Sequence, residues 1–281
     1  MTETKRTRRI PRFRQTSLHS LGRRIGMRLR RLWLGRFVPE KRVRLIRIGS
    51  ARFKRLTLPD AWTAAQLTRS LELFRSHQVF PSVIAQSANE LLLEWVEGSP
   101  IAEPLDDEGC DRLASFFAVL YAQGRHAVET RSAGFVDALR LDLAFLGQVG
   151  VLDAAALPEL RRAGEALAPA QVYVGHDYLD PIPRNFVITS AGRLVAVDVE
   201  ELMPDQLLGS GVAKAVLRTP GARRERLLEG IRRTAGLDLA PVMPFVELAF
   251  LAGWTKRALL KGRAQLVRPE LFEPFRTREP R

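Results

Sequence analysis

At 281 residues with 46% hydrophobic side chains, the chain carries enough apolar surface to bury a sizeable core, which excludes a disordered protein. Its single cysteine, Cys110, excludes an internal disulfide and points to a reducing compartment; no apolar run approaches the roughly eighteen residues of a membrane span, and the start lacks the apolar segment of a signal peptide. The net charge of +13 is concentrated, because residues 1–50 hold sixteen Lys and Arg against only Glu3 and Glu40, leaving the remainder close to neutral.

Residues 1–17 have no apolar period and read as disordered. The run LGRRIGMRLRRLWLGRF then spaces Leu21, Ile25, Leu29, Leu32 and Trp33 as one face of a helix, with arginines on the others. Such a basic amphipathic helix suits an anionic membrane surface, where each cation near the headgroups adds about 1 kcal/mol. Residues 5–47 are the segment that would make this contact. Nucleic acid is a rival partner, although no stacking platform or zinc-finger pattern accompanies the arginines. A transit peptide and a helix docked on its own domain are further readings.

Residues 42–58 alternate apolar and basic side chains around Gly49-Ser50, which predicts a hairpin. The stretch 60–78 opens on Asp60 as a cap and carries Leu67, Leu71 and Phe74 on one face of a predicted helix. FPSVIA and NELLLEWVEG follow as two short strands, the second ending at Gly98. A helical run, DRLASFFAVLYAQGRHAVE, occupies 111–129, and Cys110 at its start reads as a small packing residue. Helical periodicity recurs over 136–152, 158–169, 222–236 and 244–262. The segment 172–199 is left as a strand island among helices, an α+β arrangement.

Within that island, FVIT and RLVAVDV are rich in β-branched residues and separated by Ser-Ala-Gly, so they form a second predicted hairpin. Asp180 and Asn185 precede its first strand and Asp198 ends its second. Each alone is an ordinary turn or strand-end residue, but together they gather two carboxylates and an amide oxygen, the donor type that magnesium prefers. The four histidines stand singly, so zinc hydrolysis has no support, and no G-x-S-x-G elbow is present. His176 and Asp177 lie just upstream of the loop, within reach of a substrate there, but packing is the simpler reading of both.

The run from Asp180 to Asn185 is D-x-x-x-x-N, and Asp198 follows thirteen residues later. With PRNFVI and VDVEE, these positions resemble the protein-kinase-like phosphotransferases, in particular the branch of aminoglycoside phosphotransferases and lipopolysaccharide kinases. The resemblance spans roughly residues 42–265. It implies a bilobal fold with a small β-rich N-lobe at 41–98 and a mostly helical C-lobe at 99–281, preceded by the basic arm at 1–40. It implies Asp180 as the catalytic base and Asn185 and Asp198 as ligands of Mg2+. In the small lobe, Lys54 would reach the ATP phosphates with Glu72 as its partner, and main chain near Glu94 and Val96 would meet the adenine. Arg55 would replace Lys54 were the strand one residue out of register.

The pattern departs from the family in four places. There is no G-x-G-x-x-G, only Gly49-Ser50; Tyr178 stands where histidine is usual; Val199 and Glu200 replace the aromatic and glycine after the metal-binding aspartate; and no A-P-E segment follows. These departures argue against a protein substrate. They favour a hydroxyl of a small molecule or (lipo)saccharide, phosphorylated from ATP in the cytoplasm or at the inner face of the membrane. The alternative is a kinase-like pseudoenzyme that serves as a membrane- or partner-binding scaffold.

Overall fold

The computed structural model describes residues 42–276 apart from 218 and 220. The basic arm and the helix expected over 21–37 lie outside the described residues, and with them most of the segment read as a membrane or nucleic-acid contact. The described chain divides into two compact units, one ending at Thr68 and resuming over Val83–Trp95, the other comprising Arg69–Ser82 and the chain from Val96 onward.

The first unit is built on a four-stranded antiparallel sheet of order β1-β2-β4-β3, with β1 at Arg42–Ile48, β2 at Ala51–Thr57, β3 at Val83–Ser87 and β4 at Glu90–Glu94. The expected hairpin closes through Gly49-Ser50, where Gly49 takes φ 62°, a left-handed conformation that glycine adopts without steric cost. Alternation along the strands sends Leu56, Leu91 and Leu93 to one face, each fully buried. Lys54 pairs with Leu93 across the ladder and shares that face. Arg55 therefore points the other way, where its guanidinium ion-pairs with Glu90.

Helix α1, Ala61–Leu73, starts where Asp60 accepts a 2.7 Å bond from the Thr63 amide. It stops short of the expected end at 78, giving way to a 3-10 turn at Arg75–His77.

The second unit is mostly helical: α2 at Asp107–Ala122, α3 at Phe135–Gln148, α4 at Ala156–Leu167, α5 at Ser210–Val216, α6 at Gly221–Ala235, α7 at Met243–Leu260 and the short α8 at Glu273–Arg276. Asp106 caps α2 by accepting from the Gly109 amide at 2.7 Å. Close packing relies on small residues: a β-carbon on Gly230 of α6 would fall 2.6 Å from the Ala114 methyl of α2. Arg125 bonds the carbonyls of Tyr121 and Ala235 at 3.0 and 2.9 Å, tying together the C-terminal ends of both helices, where cations are favoured.

One expectation needs correction. The helical run read over 111–129 ends at Ala122, and His126–Glu129 is a strand, β6. Gly124, at φ 66°, turns the chain out of the helix, and β6 pairs antiparallel with β7, Gln171–Tyr178, whose other edge is taken by β10, Leu202–Leu207. Pairing between segments far apart in sequence overrides the local periodicity. A third sheet orders β5, Ser99–Pro100, beside the predicted hairpin of β8, Phe186–Ile188, and β9, Leu194–Ala196.

Candidate active site

The loop between β7 and β8 rests on an aromatic floor. Phe116 of α2 packs edge-on against Tyr178 and Phe186 with ring centroids 5.5 and 5.1 Å apart, and those two rings stand 5.4 Å from each other. All three are buried, so the residues bounding 179–185 on either side are anchored in the core. Burying each such side chain contributes about 1.5–3 kcal/mol, which holds the polar loop above it in place.

Within the loop the backbone folds tightly. The Ile182 amide bonds the Asp180 carbonyl at 2.8 Å, and a 3-10 turn over Pro183–Asn185 returns the Asn185 amide to the Ile182 carbonyl at 2.9 Å. Proline at the first position of that turn presets φ and gives up no needed donor. The side chain of Asn185, itself buried, then donates from Nδ2 to the Asp180 backbone oxygen at 2.9 Å and to its Oδ2 at 3.1 Å.

The second oxygen of Asp180 has a partner that sequence reasoning missed. Lys214 Nζ forms an ion pair with Oδ1, the two side chains being 22% and 21% exposed. A carboxylate has about four lone-pair positions, so these two contacts orient Asp180 while leaving room for a further hydroxyl. Lys214 lies on α5, inside the run SGVAKAV, where it is the lone cation among small apolar residues.

What holds α5 in place is Asp177, one residue before the end of β7. It is fully buried and accepts from Tyr121 Oη at 2.9 Å, from the Tyr178 amide at 2.8 Å and from the Gly211 amide at 3.0 Å. Burial pushes its pKa up to about 6, against the pull of those hydrogen bonds. Tyr121 closes the network by accepting from the Gly209 amide at 3.2 Å. Asp177 is thus a packing residue, as read from the sequence, and its packing fixes the helix that carries Lys214. His176 packs likewise, 3.1 Å from Ser70 Oγ and edge-on to Phe74. Cys110 is buried, and burial raises its thiol pKa, consistent with a filler.

Asp198 follows β9. The Val197 amide bonds the Asn185 carbonyl at 2.8 Å, so the hairpin delivers Asn185 and Asp198 to the same end. Tyr178 Oη donates to the Asp198 carbonyl at 3.2 Å, pinning the backbone there. The structure thus brings Asp180, Asn185 and Asp198 together. Of the remaining candidates, Lys54 and Glu94 belong to the first unit, one rung apart on β2 and β4, while Glu72 and Val96 belong to the second. Glu72 sits on α1 with an exposed ion pair to Arg75 at 3.1 Å. Arg184, beside Asn185, is exposed.

The donor set suits magnesium. With Nδ2 of Asn185 turned to Asp180, its amide oxygen is the group left for a cation, and Asp198 adds a carboxylate; among the described residues no cluster of three His, Cys, Asp or Glu forms a self-sufficient metal cage. Mg2+ is commonly bound this way, by one or two protein oxygens with substrate phosphates and water completing the shell.

No protein-family model matches the chain, and no curated protein is similar to it in sequence. Solved structures do match. Macrolide 2'-phosphotransferase MphH from Brachybacterium faecium aligns with a TM-score of 0.58 at 17% identity, over 87% of this chain and 91% of that one. A thermostable mutant of aminoglycoside phosphotransferase APH(4)-Ia, in ternary complex with ADP and hygromycin B, gives 0.55 at 14% identity, over 89% and 97%. Choline kinase LicA from Streptococcus pneumoniae gives 0.53 at 12% identity, over 91% and 99%. The chain therefore has the protein-kinase-like phosphotransferase fold, with a β-rich N-terminal region and a mostly helical C-terminal part. The solved structures named are all phosphotransferases or kinases, and the chain spans nearly their whole length.

Proposed function

We propose that the protein transfers the γ-phosphoryl group of ATP to a hydroxyl of a small molecule or (lipo)saccharide. The observation that carries this reading is the Asp180 carboxylate, held by Asn185 on one oxygen and Lys214 on the other, on the loop that leads into the Asn185–Asp198 hairpin. Asp180 orients the acceptor hydroxyl and takes its proton as the acceptor oxygen bonds to the γ-phosphorus; the bond to the β,γ-bridging oxygen breaks and ADP leaves with the electron pair. Asn185 and Asp198 would hold Mg2+, which supplies charge neutralisation on the phosphates. Lys54 is the cation assigned to the phosphates from the first unit, with Glu72 as its proposed partner and main chain at Glu94 and Val96 meeting the adenine.

The basic segment 5–47 favours an acceptor at an anionic membrane surface, such as a lipid-linked sugar. No helix among the described residues is long and apolar enough to cross a membrane. One observation favours a second reading, a kinase-like scaffold without activity: the β1–β2 connection is only the two-residue turn Gly49-Ser50, far shorter than a glycine-rich phosphate loop.

Thermal unfolding with ATP, with and without Mg2+, separates the two. The phosphotransferase reading expects a metal-dependent rise in midpoint that Asp198→Ala loses. No shift under any condition favours the scaffold.

A further inference from the structure

The second unit contains a cavity of about 150 Å³ whose wall includes Leu179, the residue directly before Asp180, and Ser210, at the start of the helix that carries Lys214. Leu139 and Phe250 add apolar wall, and Asp142, Gln206 and Arg257 supply the other polar groups. The charges there are unequal. Asp142 is already neutralised, its Oδ1 lying 2.5 Å from Lys256 Nζ. The Arg257 guanidinium is exposed and forms no hydrogen bond or ion pair among the described residues.

Gly253 keeps the space between these groups open. A β-carbon there would stand 3.1 Å from Asp142 Oδ2 and 3.4 Å from Arg257 Nη1, in the gap between carboxylate and guanidinium. With Asp142 paired through Oδ1 to Lys256, the three charged groups sum to +1, the excess carried by Arg257, so the cavity favours an anion over a second cation.

The geometry points to an acceptor that carries an anionic group, carboxylate or phosphate, bound by Arg257 while its hydroxyl faces Asp180. This rests on the phosphotransferase reading, and it distinguishes the protein from an enzyme for polyamine acceptors, whose ammonium groups need uncommitted carboxylates.

The test is an acceptor screen by Mg-ATP-dependent ADP release in three arms: sugar acids together with sugar phosphates, neutral sugars, and amino alcohols together with aminoglycosides. The wild-type protein is first shown to gain thermal stability from Mg-ATP; no gain overturns the phosphotransferase reading itself, whereas a gain isolates the acceptor question. Turnover confined to the acid arm is expected, with sugar acids against sugar phosphates resolving carboxylate from phosphate. Arg257→Gln is expected to raise the acceptor KM about tenfold or more with a smaller change in kcat, and Arg257→Lys to recover part of it. Gly253→Ala, which fills the gap, is expected to raise the same KM. Turnover of amino alcohols or aminoglycosides, turnover in no arm, or an Arg257→Gln variant with unchanged acceptor KM overturns the proposal.

Discussion

Lys214 and Asp180 form an ion pair across 34 residues of sequence, joining the helix after β10 to the loop after β7. Both side chains are about one-fifth exposed, so solvent screens the pair only partly. If Asp180 is the base, as proposed, Lys214 is a positioning residue for it. Lys214→Met is expected to lower kcat by roughly tenfold to a hundredfold with a smaller effect on KM, and Lys214→Arg to restore part of the rate. An unchanged kcat in Lys214→Met would show that the pair is structural only.

Asp177 sets a pH dependence of stability. Its folded pKa, about 6, lies above the unfolded value of about 3.9, so the native state binds the extra proton between them. The stabilisation is fully present below the unfolded pKa and is lost as pH rises through 6, on the order of 3 kcal/mol in all. The difference in denaturant midpoint between wild type and Asp177→Asn should accordingly decline for the wild type from pH 4 to 6. A flat difference across that range would count against the buried carboxylate as its source.

Gly211, next to Asp177 in space, has no room for a side chain. An added β-carbon would fall 2.1 Å from the Tyr178 carbonyl oxygen and 2.8 Å from Asp177 Oδ1. Gly211→Ala should destabilise by about 2 kcal/mol or more because backbone must shift. Gly221→Ala, at the start of α6 with nothing within 4 Å, should be neutral or slightly stabilising. Urea unfolding of the two variants side by side checks the contrast.

Strand register separates Lys54 from Arg55. Lys54 shares the face of Leu56, and Arg55 faces Glu90 in a pair about one-third exposed on each side. If Lys54 meets the phosphates, Lys54→Met abolishes the thermal shift given by Mg-ATP while Arg55→Met retains it, the latter costing no more than about 1 kcal/mol of stability. The reverse result would reassign the phosphate contact to Arg55.

Much of this was legible along the chain. Period-2 alternation with Gly49-Ser50 announced the first hairpin, and β-branched runs around Ser-Ala-Gly announced the second. Asp180, Asn185 and Asp198 could be read as a set because their spacing is local to one hairpin. β6 was hidden because His126–Glu129 has no strand pattern of its own and is held by β7.

The sequence by itself determined the two hairpins and the longer helices, the concentration of positive charge before residue 50, and the polar loop with its three oxygen-bearing residues, since each depends on neighbours in the chain. Only the tertiary structure decided that Lys214 meets Asp180, that buried Asp177 steadies the helix that carries Lys214, and that Arg257 faces a cavity whose carboxylate is paired with Lys256. Those relationships join residues more than thirty positions apart, or turn on which of two opposite charges is already paired, and no periodicity or spacing encodes either.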